Sequence, residues 1–515
     1  MRLYIIILVA VLAITACGKS NPVGVESEQQ GNLRDMDSFF NGQAIFTGTW
    51  TAPIIDGDIA TILNGPGAGN EGIPWTKGLT SHYSVVVGLE RKLNQECQIL
   101  LRVVEGDGDV AQATFPVLLD NPLEQGEVRR LPKVSALYID PPSATPYIEV
   151  AVVYQFWADD DTWDIGIRQM IFNPATFPAD GSLSSTSDLD MPDDDGDPSI
   201  QPDIAYDPYT GDIYVVTIKE IVYGDTNVYF IHGVRTGYTN TVTMGDAVFA
   251  QDTEDESINA FNPRVACGEV GFLNYDEDWM VAFGYSAYNN EYGWHTRLNF
   301  WSVYDIENTA NFSTNNDTGW DDPVYGDYAA GFPTIDIGPP GSNHAALVWI
   351  QSKSWEWSNS TVMYADTHGG DISYTALHDE PDDVGDPSWG FECSALPSVA
   401  VLKHESEDDY IAGISYLYSA DYASGIWAPA YCQIITAYGG SGIEIGADNK
   451  VTFPFSIKWN GKWDSGATSE HNYGVGTALT VWGDDYWMIW SAWKADPQSE
   501  TGGPTSIYGA WGDTS

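Results

Sequence analysis

Positive charge is scarce in this sequence. Its 515 residues include 21 Lys and Arg against 73 Asp and Glu, which gives a formal net charge of −52. Because proteins bind the phosphates of nucleic acid with clustered Lys and Arg, this scarcity makes nucleic acid a poor partner. A glycan, a cation or another protein remains compatible with so acidic a chain.

Cysteine is also rare, with five residues, and the motifs of common catalytic centres are missing. There is no Cys-x-x-Cys pair and no His cluster at ligand spacing, which argues against a zinc site. There is no Gly-x-Ser-x-Gly, and the eight His share no motif, so a nucleophilic triad is not indicated. Cys97, Cys267, Cys393 and Cys432 fit either buried strand residues or up to two disulfides in an oxidising exterior. Proximity in sequence favours a Cys393–Cys432 pair.

Helix formers such as Lys and Glu are few, whereas turn and strand residues are plentiful. The chain has 51 Gly and 28 Pro, and its 20 Trp, 29 Tyr and 18 Phe belong to a hydrophobic fraction of 43%. Disordered acidic chains are poor in aromatic residues, so this chain folds. The balance favours strands and tight turns over packed helices and predicts an all-β protein.

A long hydrophobic run occurs only at the amino end. Residues 1–17, MRLYIIILVAVLAITAC, place an apolar stretch after an early Arg, and the stretch is shorter than a membrane-spanning helix. Its end, Ile14-Thr15-Ala16-Cys17 followed by Gly18, resembles the lipobox of bacterial lipoproteins. The resemblance implies a signal peptide over 1–16 and acylation of Cys17, which would anchor the protein in the cell envelope, at the outer membrane or cell surface. The alternative is an ordinary signal peptide with a chance cysteine.

The remaining chain divides into a polar tether, residues 17–43, and one repetitive domain, residues 44–515. The first repeated part is a short apolar strand with a proline near its start, and we call this strand an opener. The prolines of the five openers are Pro132, Pro202, Pro263, Pro333 and Pro397. These prolines are separated by 70, 61, 70 and 64 residues. Weaker relatives of this opener begin at residues 82 and 475.

The second repeated part is a hairpin: an apolar strand, a polar aromatic turn and another strand. Its copies begin at residues 147, 212, 278, 344, 409 and 485, and an early hairpin begins at residue 98. About seven units result, which predicts a β-propeller of four-stranded antiparallel blades. The last unit lacks one strand, so we expect the isolated strand at 44–53 to complete it and close the ring. Most aromatic residues on strands are expected to pack between blades.

This layout resembles the sialidase-like propellers of secreted bacterial proteins. The best local match runs from Pro202-Asp203-Ile204-Ala205 through the Gly211-Asp212 turn to Val215-Val216. The resemblance implies the propeller architecture. The Ser-x-Asp-x-Gly-x-x-Trp boxes of sialidases are absent, and Asn262-Pro263-Arg264-Val265 reverses the order of their Arg-Ile-Pro element. Sialidase activity is therefore not implied.

The hairpin turns are expected to lie on one face of the propeller with the crossings between blades, and so to surround a central mouth. Sugars need polar acceptors beside flat apolar platforms, and these turns alternate acidic and aromatic side chains. The predicted ligand-binding residues are Trp157, Trp163, Tyr223, Tyr288, Tyr292, Trp294, His295, Trp355, Trp357, Tyr418, Tyr422 and Trp493. The same residues also fit solvated acidic turns whose aromatic rings pack on neighbouring loops.

Catalysis would require two carboxyl groups at a defined separation, one of them with a raised pKa. Asp160, Glu220, Glu356 and Asp421 come from four different units and are the candidates.

Taken together, these features favour a surface module that binds a glycan or a protein. A glycoside hydrolase or polysaccharide lyase on the same scaffold is the alternative, and a subunit that docks an envelope protein on its acidic rim is a third reading.

Two similar acidic loops, 192–199 and 381–388, precede strand openers. Clustered carboxylates around a Gly turn can bind calcium, although the spacing differs from that of an EF-hand. The candidate ligands are Asp193, Asp195, Asp197, Asp382, Asp383 and Asp386. The alternative is that both crossings simply use the same turn.

Overall fold

A computed structural model of the chain divides it into two compact units, residues 1–35 and 36–515. The residues that the structure describes all belong to the second unit. They are 43–46, 54–75, 82–91, 97–105, 117–118, 129–157, 163–178, 185–189, 198–221, 225–250, 259–270, 278–289, 293–302, 329–338, 345–352, 360–366, 373–376, 393–403, 409–419, 426–437, 443–445, 449–450, 457–458, 477–482, 485–493 and 505–513. Within these ranges the chain forms strands and turns, and no helix is long and apolar enough to cross a membrane.

The described ranges contain thirty strands. In chain order they are β1 (Gln43–Phe46), β2 (Ile54–Asn64), β3 (Tyr83–Arg91), β4 (Cys97–Glu105), β5 (Val117–Leu118), β6 (Arg129–Ile139), β7 (Tyr147–Trp157), β8 (Trp163–Phe172), β9 (Ser185–Leu189), β10 (Ser199–Tyr206), β11 (Ile213–Ile221), β12 (Asp225–Arg235), β13 (Val242–Met244), β14 (Val248–Phe249), β15 (Asn259–Val270), β16 (Asp278–Asn289), β17 (Gly293–Ser302), β18 (Ala329–Ile337), β19 (Ala345–Ser352), β20 (Ser360–Asp366), β21 (Ser373–Ala376), β22 (Cys393–Lys403), β23 (Asp409–Ser419), β24 (Ile426–Ala437), β25 (Ile443–Ile445), β26 (Asn449–Lys450), β27 (Ile457–Lys458), β28 (Thr477–Trp482), β29 (Asp485–Trp493) and β30 (Thr505–Asp513).

Hydrogen bonding groups these strands into antiparallel meanders. The eight-stranded sheet consists of two four-stranded meanders, β2–β5 and β6–β9, joined by a parallel pairing of β2 with β6. Five further sheets follow: β10–β14, β15–β17, β18–β21, β22–β27, and β28–β30 with β1. The prediction of an all-β chain built from repeated antiparallel units is confirmed.

The first strands of the meanders are β2, β6, β10, β15, β18, β22 and β28. Each contacts the next in chain order, and β28 contacts β2, so the first strands surround a common axis as in a β-propeller. We call the end where they begin the mouth end. The register brings the hairpins between second and third strands to this same end, because Arg129 faces Phe156 and Ser199 faces Lys219. The predicted common face of hairpin turns and crossings is thus confirmed for the described strands.

The N-terminal strand closes the ring. β1 pairs antiparallel with β30, with Gln43 facing Gly509, and so becomes the fourth strand of the last meander. A second tie joins the first and last meanders, since the Thr61 N–H donates to Thr480 Oγ1 over 3.1 Å and the two hydroxyl oxygens are 2.8 Å apart. The predicted closure by an N-terminal strand is confirmed.

The proline-led segments are first strands, as predicted, and each carries a bulge. Leu131, Gln201, Asn262 and Phe332 have φ between 49° and 58°, and each directly precedes an opener proline. The pairing register shifts at the same points, as between Ile200 and Asp203. Proline has no N–H to donate, so a bulge is a position where it disrupts no ladder hydrogen bond.

The predicted opener of the first unit is wrong. The segment that begins at His82 forms the second strand, β3, and the first strand is β2, which pairs with it antiparallel. β2 contains no proline, so the repeat pattern gave no signal there.

The predicted Cys393–Cys432 disulfide is also wrong. The two residues lie on β22 and β24, which are separated by β23. Along β23, Cys393 faces Ser419 and Cys432 faces Ile414, an offset of roughly 16 Å. A disulfide needs Cα atoms within about 7 Å, so this backbone arrangement excludes the bond. Cys267 is a half-buried free thiol.

The hydrophobic core lies between successive meanders. Tyr214, Tyr285, Tyr364 and Tyr416 are among the largest fully buried side chains, and each lies on a second or third strand. Several rings stack within a cluster, for example Tyr214 on Phe230 with centroids 5.7 Å apart. Where their side chains are described, strand aromatics thus pack mainly in the core.

Candidate functional site

Two tryptophans mark the rim of the mouth end. Trp157 ends β7, Trp163 begins β8, and the two face each other across the hairpin. Their rings meet edge to face with centroids 5.0 Å apart, and Trp157 is 38% exposed. An edge-to-face partner holds the exposed indole in place and leaves a flat surface open to solvent.

Four charged side chains lie further inside, on four consecutive first strands. They are Asp58 on β2, Lys133 on β6, Asp203 on β10 and Arg264 on β15, and we call them the collar. Lys133 Nζ lies 3.7 Å from Asp58 Oδ1. Burial raises the pKa of Asp203, while Arg264 and Lys133 act to lower it and Asp58 to raise it. Negative and positive groups therefore alternate around this part of the axis.

The collar carboxylates are fixed by the backbone of the next first strand. Asp58 Oδ2 accepts the Val134 N–H over 3.1 Å, and Asp203 Oδ2 accepts the Val265 N–H over 2.9 Å. In the described sheets the inner edges of the first strands are unpaired at these positions, and β2 and β6 pair only further along, at residues 62–64 and 136–138. The side chains therefore satisfy backbone donors that would otherwise be orphaned. Each carboxylate is thereby held in one position at the axis.

The bulges above the collar are stabilised by a ladder of side-chain oxygens. The Gln201 N–H donates to Gln155 Oε1 over 3.2 Å, and the Asn262 N–H donates to Gln201 Oε1 over 2.7 Å. In the next meander the Phe332 N–H donates to Ser286 Oγ over 2.8 Å. A non-glycine residue at positive φ is strained by about 1 kcal/mol, and these bonds offset part of that strain. The ladder thus ties neighbouring meanders to each other at the mouth end.

This arrangement suits a polyhydroxylated ligand. A sugar hydroxyl both donates and accepts hydrogen bonds, and the collar offers Lys and Arg donors between Asp acceptors. The C–H face of a sugar ring can pack on an exposed indole such as Trp157.

The structure describes the side chains of only Trp157 and Trp163 among the predicted ligand-binding residues. Others have a described backbone at hairpin ends: Tyr288 faces Trp294, Ala287 faces His295, and Tyr418 and Trp493 lie near the ends of β23 and β29. Tyr223, Tyr292, Trp355, Trp357 and Tyr422 lie outside the described residues.

The catalytic and calcium candidates fall largely beyond the described part of the chain. Glu220 lies on β11, where its backbone faces Thr226. Asp160, Glu356 and Asp421 lie outside the described residues, as do Asp193, Asp195, Asp197, Asp382, Asp383, Asp386 and the lipidation candidate Cys17. Within the described ranges, no three His, Cys, Asp or Glu side chains are placed to hold a metal ion.

A buried ion pair lies at the opposite end of the ring. Glu149 on β7 and Arg235 on β12 have fully buried side chains and pair through both guanidinium nitrogens, with Nη1 3.0 Å from Oε2. The Tyr206 hydroxyl donates to Glu149 Oε1 over 2.6 Å. Burial acts to lower the pKa of Arg235, but the Glu149 carboxylate outweighs it and the net pKa is raised. With no open surface, this pair joins two meanders and is not a ligand site.

The collar was not predicted from the sequence, although three of its four residues occupy the same position when the openers are aligned. Lys133, Asp203 and Arg264 each directly follow an opener proline, and Thr334 and Ser398 take the same position in later openers. A charged residue at a fixed place in an apolar strand was the available signal. Asp58 had no such signal, because its strand lacks the proline.

Comparison with known proteins gives distant structural likenesses only. No protein-family model and no curated protein sequence matches the chain. Among solved structures, a polysaccharide lyase of family PL25, an ulvan lyase bound to -[GlcA(1-4)Rha3S]-, is 9% identical with a TM-score of 0.43, covering 90% of this chain and 95% of its own. The Hadza microbial sialidase Hz136 is 12% identical with a TM-score of 0.34, covering 79% and 74%. The haemagglutinin-neuraminidase ectodomain of parainfluenza virus 5 is 9% identical with a TM-score of 0.34, covering 99% and 95%. Similarities this low assign no activity.

Proposed function

We propose that this propeller is a glycan-binding module that holds its ligand at the mouth end, between the collar and the Trp157–Trp163 pair. The observation that carries the proposal is the fixed alternation of donors and acceptors on four neighbouring first strands. Preorganised polar groups lose little conformational entropy when a ligand binds, so they favour recognition. An exposed tryptophan at the same end supplies the apolar platform.

Replacing Trp157 with Ala is expected to weaken glycan binding roughly tenfold. Pairs of aromatic rings gain about 0.5–1.5 kcal/mol beyond their buried area, and we expect a sugar face on the indole to gain an amount near the upper end of this range. A change of about 1.4 kcal/mol corresponds to a factor of ten in affinity. Binding of a polysaccharide panel is measured by affinity electrophoresis and calorimetry.

Tyr238→Ala is the matched control, because Tyr238 is an exposed aromatic residue at the opposite end of the ring. Its affinity should equal that of the unaltered protein. Loss of binding in Tyr238→Ala with full binding in Trp157→Ala would contradict the proposal.

The same samples are assayed for new reducing ends. Binding of the polysaccharide without cleavage supports a binding module, whereas cleavage would favour a glycoside hydrolase or lyase.

We further propose that the module is displayed on the cell envelope through an acylated Cys17. Support comes from the sequence Ile14-Thr15-Ala16-Cys17 after an apolar export segment. The mature protein should then begin at Cys17 and carry the mass of its acyl chains, and Cys17→Ser should be recovered without lipid. An unmodified mature mass, measured on the intact protein, would exclude the anchor.

A further inference from the structure

Among the described residues, Arg264 has no ion-pair partner, although the chain is rich in carboxylates. Its guanidinium Nη1 donates to the Pro263 carbonyl oxygen over 3.0 Å. The described ion pairs include Lys133–Asp58 and Arg235–Glu149, and neither contains Arg264. The residue is half-buried, so part of it remains open to solvent.

The nearby collar groups leave the Arg264 donors available. Arg264 acts to lower the pKa of Asp203, but no hydrogen bond or ion pair between the two is described, and Asp203 Oδ2 accepts the Val265 N–H. Lys133 is already paired with Asp58. A guanidinium carries five N–H donors in a planar fork, of which one hydrogen bond to protein is described here. The remaining donors match the geometry of a carboxylate or sulfate.

A second unused donor lies in the bulge ladder. Gln155 is 1% exposed, and its Nε2 has no hydrogen-bond partner among the described residues. Its amide group lies at the β10 bulge, because Oε1 accepts the Gln201 N–H. The ladder continues through Gln201 Oε1 to the Asn262 N–H, two residues before Arg264. A buried donor without an acceptor is unfavourable, so an oxygen atom that reaches the β10 bulge would be stabilised there.

On the basis of the proposed glycan function, we propose that the ligand carries an anionic group, a carboxylate or a sulfate, which Arg264 binds at the collar. The acidic surface does not oppose this binding strongly, because salt screens charges beyond about 8 Å at physiological ionic strength. A charge-assisted, two-pronged hydrogen bond would distinguish an acidic glycan from its neutral counterpart.

The test compares matched acidic and neutral glycans. Oligogalacturonate against its methyl ester isolates the carboxylate, and dextran sulfate against dextran isolates the sulfate. The unaltered protein should bind the acidic member of at least one pair about tenfold more tightly or better. Arg264→Gln should abolish this preference, so that it binds the acidic and the neutral member equally, and Arg264→Lys should retain part of the preference. Arg168→Gln is the control. It also removes one positive charge, from a half-buried arginine on the third strand β8, and it should keep the full preference.

The outcomes separate the inference from the proposed function. Equal affinity for the acidic and neutral members, or a preference that survives in Arg264→Gln, overturns the inference while glycan binding stands. Inorganic sulfate is titrated in parallel: it should raise the melting temperature of the unaltered protein and Arg168→Gln more than that of Arg264→Gln. If no glycan binds but this difference appears, the anion site stands and the glycan function fails. If sulfate raises the melting temperature of all three proteins equally, and no acidic preference is found, Arg264 is not an anion site.

Discussion

Replacing Glu149 with Gln is expected to lower the free energy of unfolding by about 3–5 kcal/mol. The substitution leaves Arg235 charged and fully buried without its carboxylate. Its other acceptors, the Gly211 and Thr239 carbonyl oxygens at 2.8 and 2.7 Å, do not neutralise the charge. The Tyr206 hydroxyl also loses a charged acceptor. Urea denaturation followed by fluorescence measures the loss.

The double variant Glu149→Gln with Arg235→Gln is the control for this prediction. It removes both charges, so it should be more stable than Glu149→Gln alone even though it loses more hydrogen bonds. A single variant that loses under about 1 kcal/mol would show that the ion pair contributes little to joining the two meanders.

Phe46→Ala is expected to destabilise the protein by a similar amount, about 3–5 kcal/mol. Phe46 is 1% exposed, lies on the closing strand β1, and packs between the last meander and the first. Its ring lies so close to Gly88 that a Cβ added there would be 2.9 Å from it, and the Arg102 guanidinium lies 5.1 Å from its centroid. Because β1 has only four residues, the loss of this anchor should weaken the closure itself.

Phe249→Ala is the matched control for the closing strand. Phe249 is half-buried on the two-residue strand β14 and contacts the Tyr229 ring, so its truncation should cost clearly less. Both variants are compared by urea denaturation and by limited proteolysis of the amino end. Equal stabilities, with no new cleavage near residue 46 in Phe46→Ala, would contradict a closing role for β1.

Much of the fold was predictable because two local signals repeat along the chain. Apolar alternation marked the hairpins, and a proline marked each bulged opener, so Pro132, Pro202 and Pro263 located three first strands. The first strand of the first meander was not predicted, because β2 carries Gly57 and Asp58 and no proline. The sequence pattern therefore placed the start of this meander at β3. The closing strand was predictable from the missing fourth strand of the last unit.

The site was less predictable, because its chemistry depends on neighbours distant in sequence. Asp203 looks like an isolated polar residue in an apolar strand until the Val265 N–H, 62 residues later, is placed against it. Glu149 and Arg235 are 86 residues apart and carry no motif. Aromatic turns were conspicuous in sequence, yet of the predicted mouth residues only Trp157 and Trp163 have described side chains.

Hydrogen exchange of the protein, free and saturated with the tightest-binding oligosaccharide of the panel, shows at which end of the ring the ligand binds. Slower exchange on binding is expected at the beginnings of β10 and β15, residues 199–203 and 259–265, and at the hairpin ends around Trp157 and Trp163. Protection confined to the opposite end, at residues 207–212 and 235–241, with no change at the mouth end, would contradict this expectation.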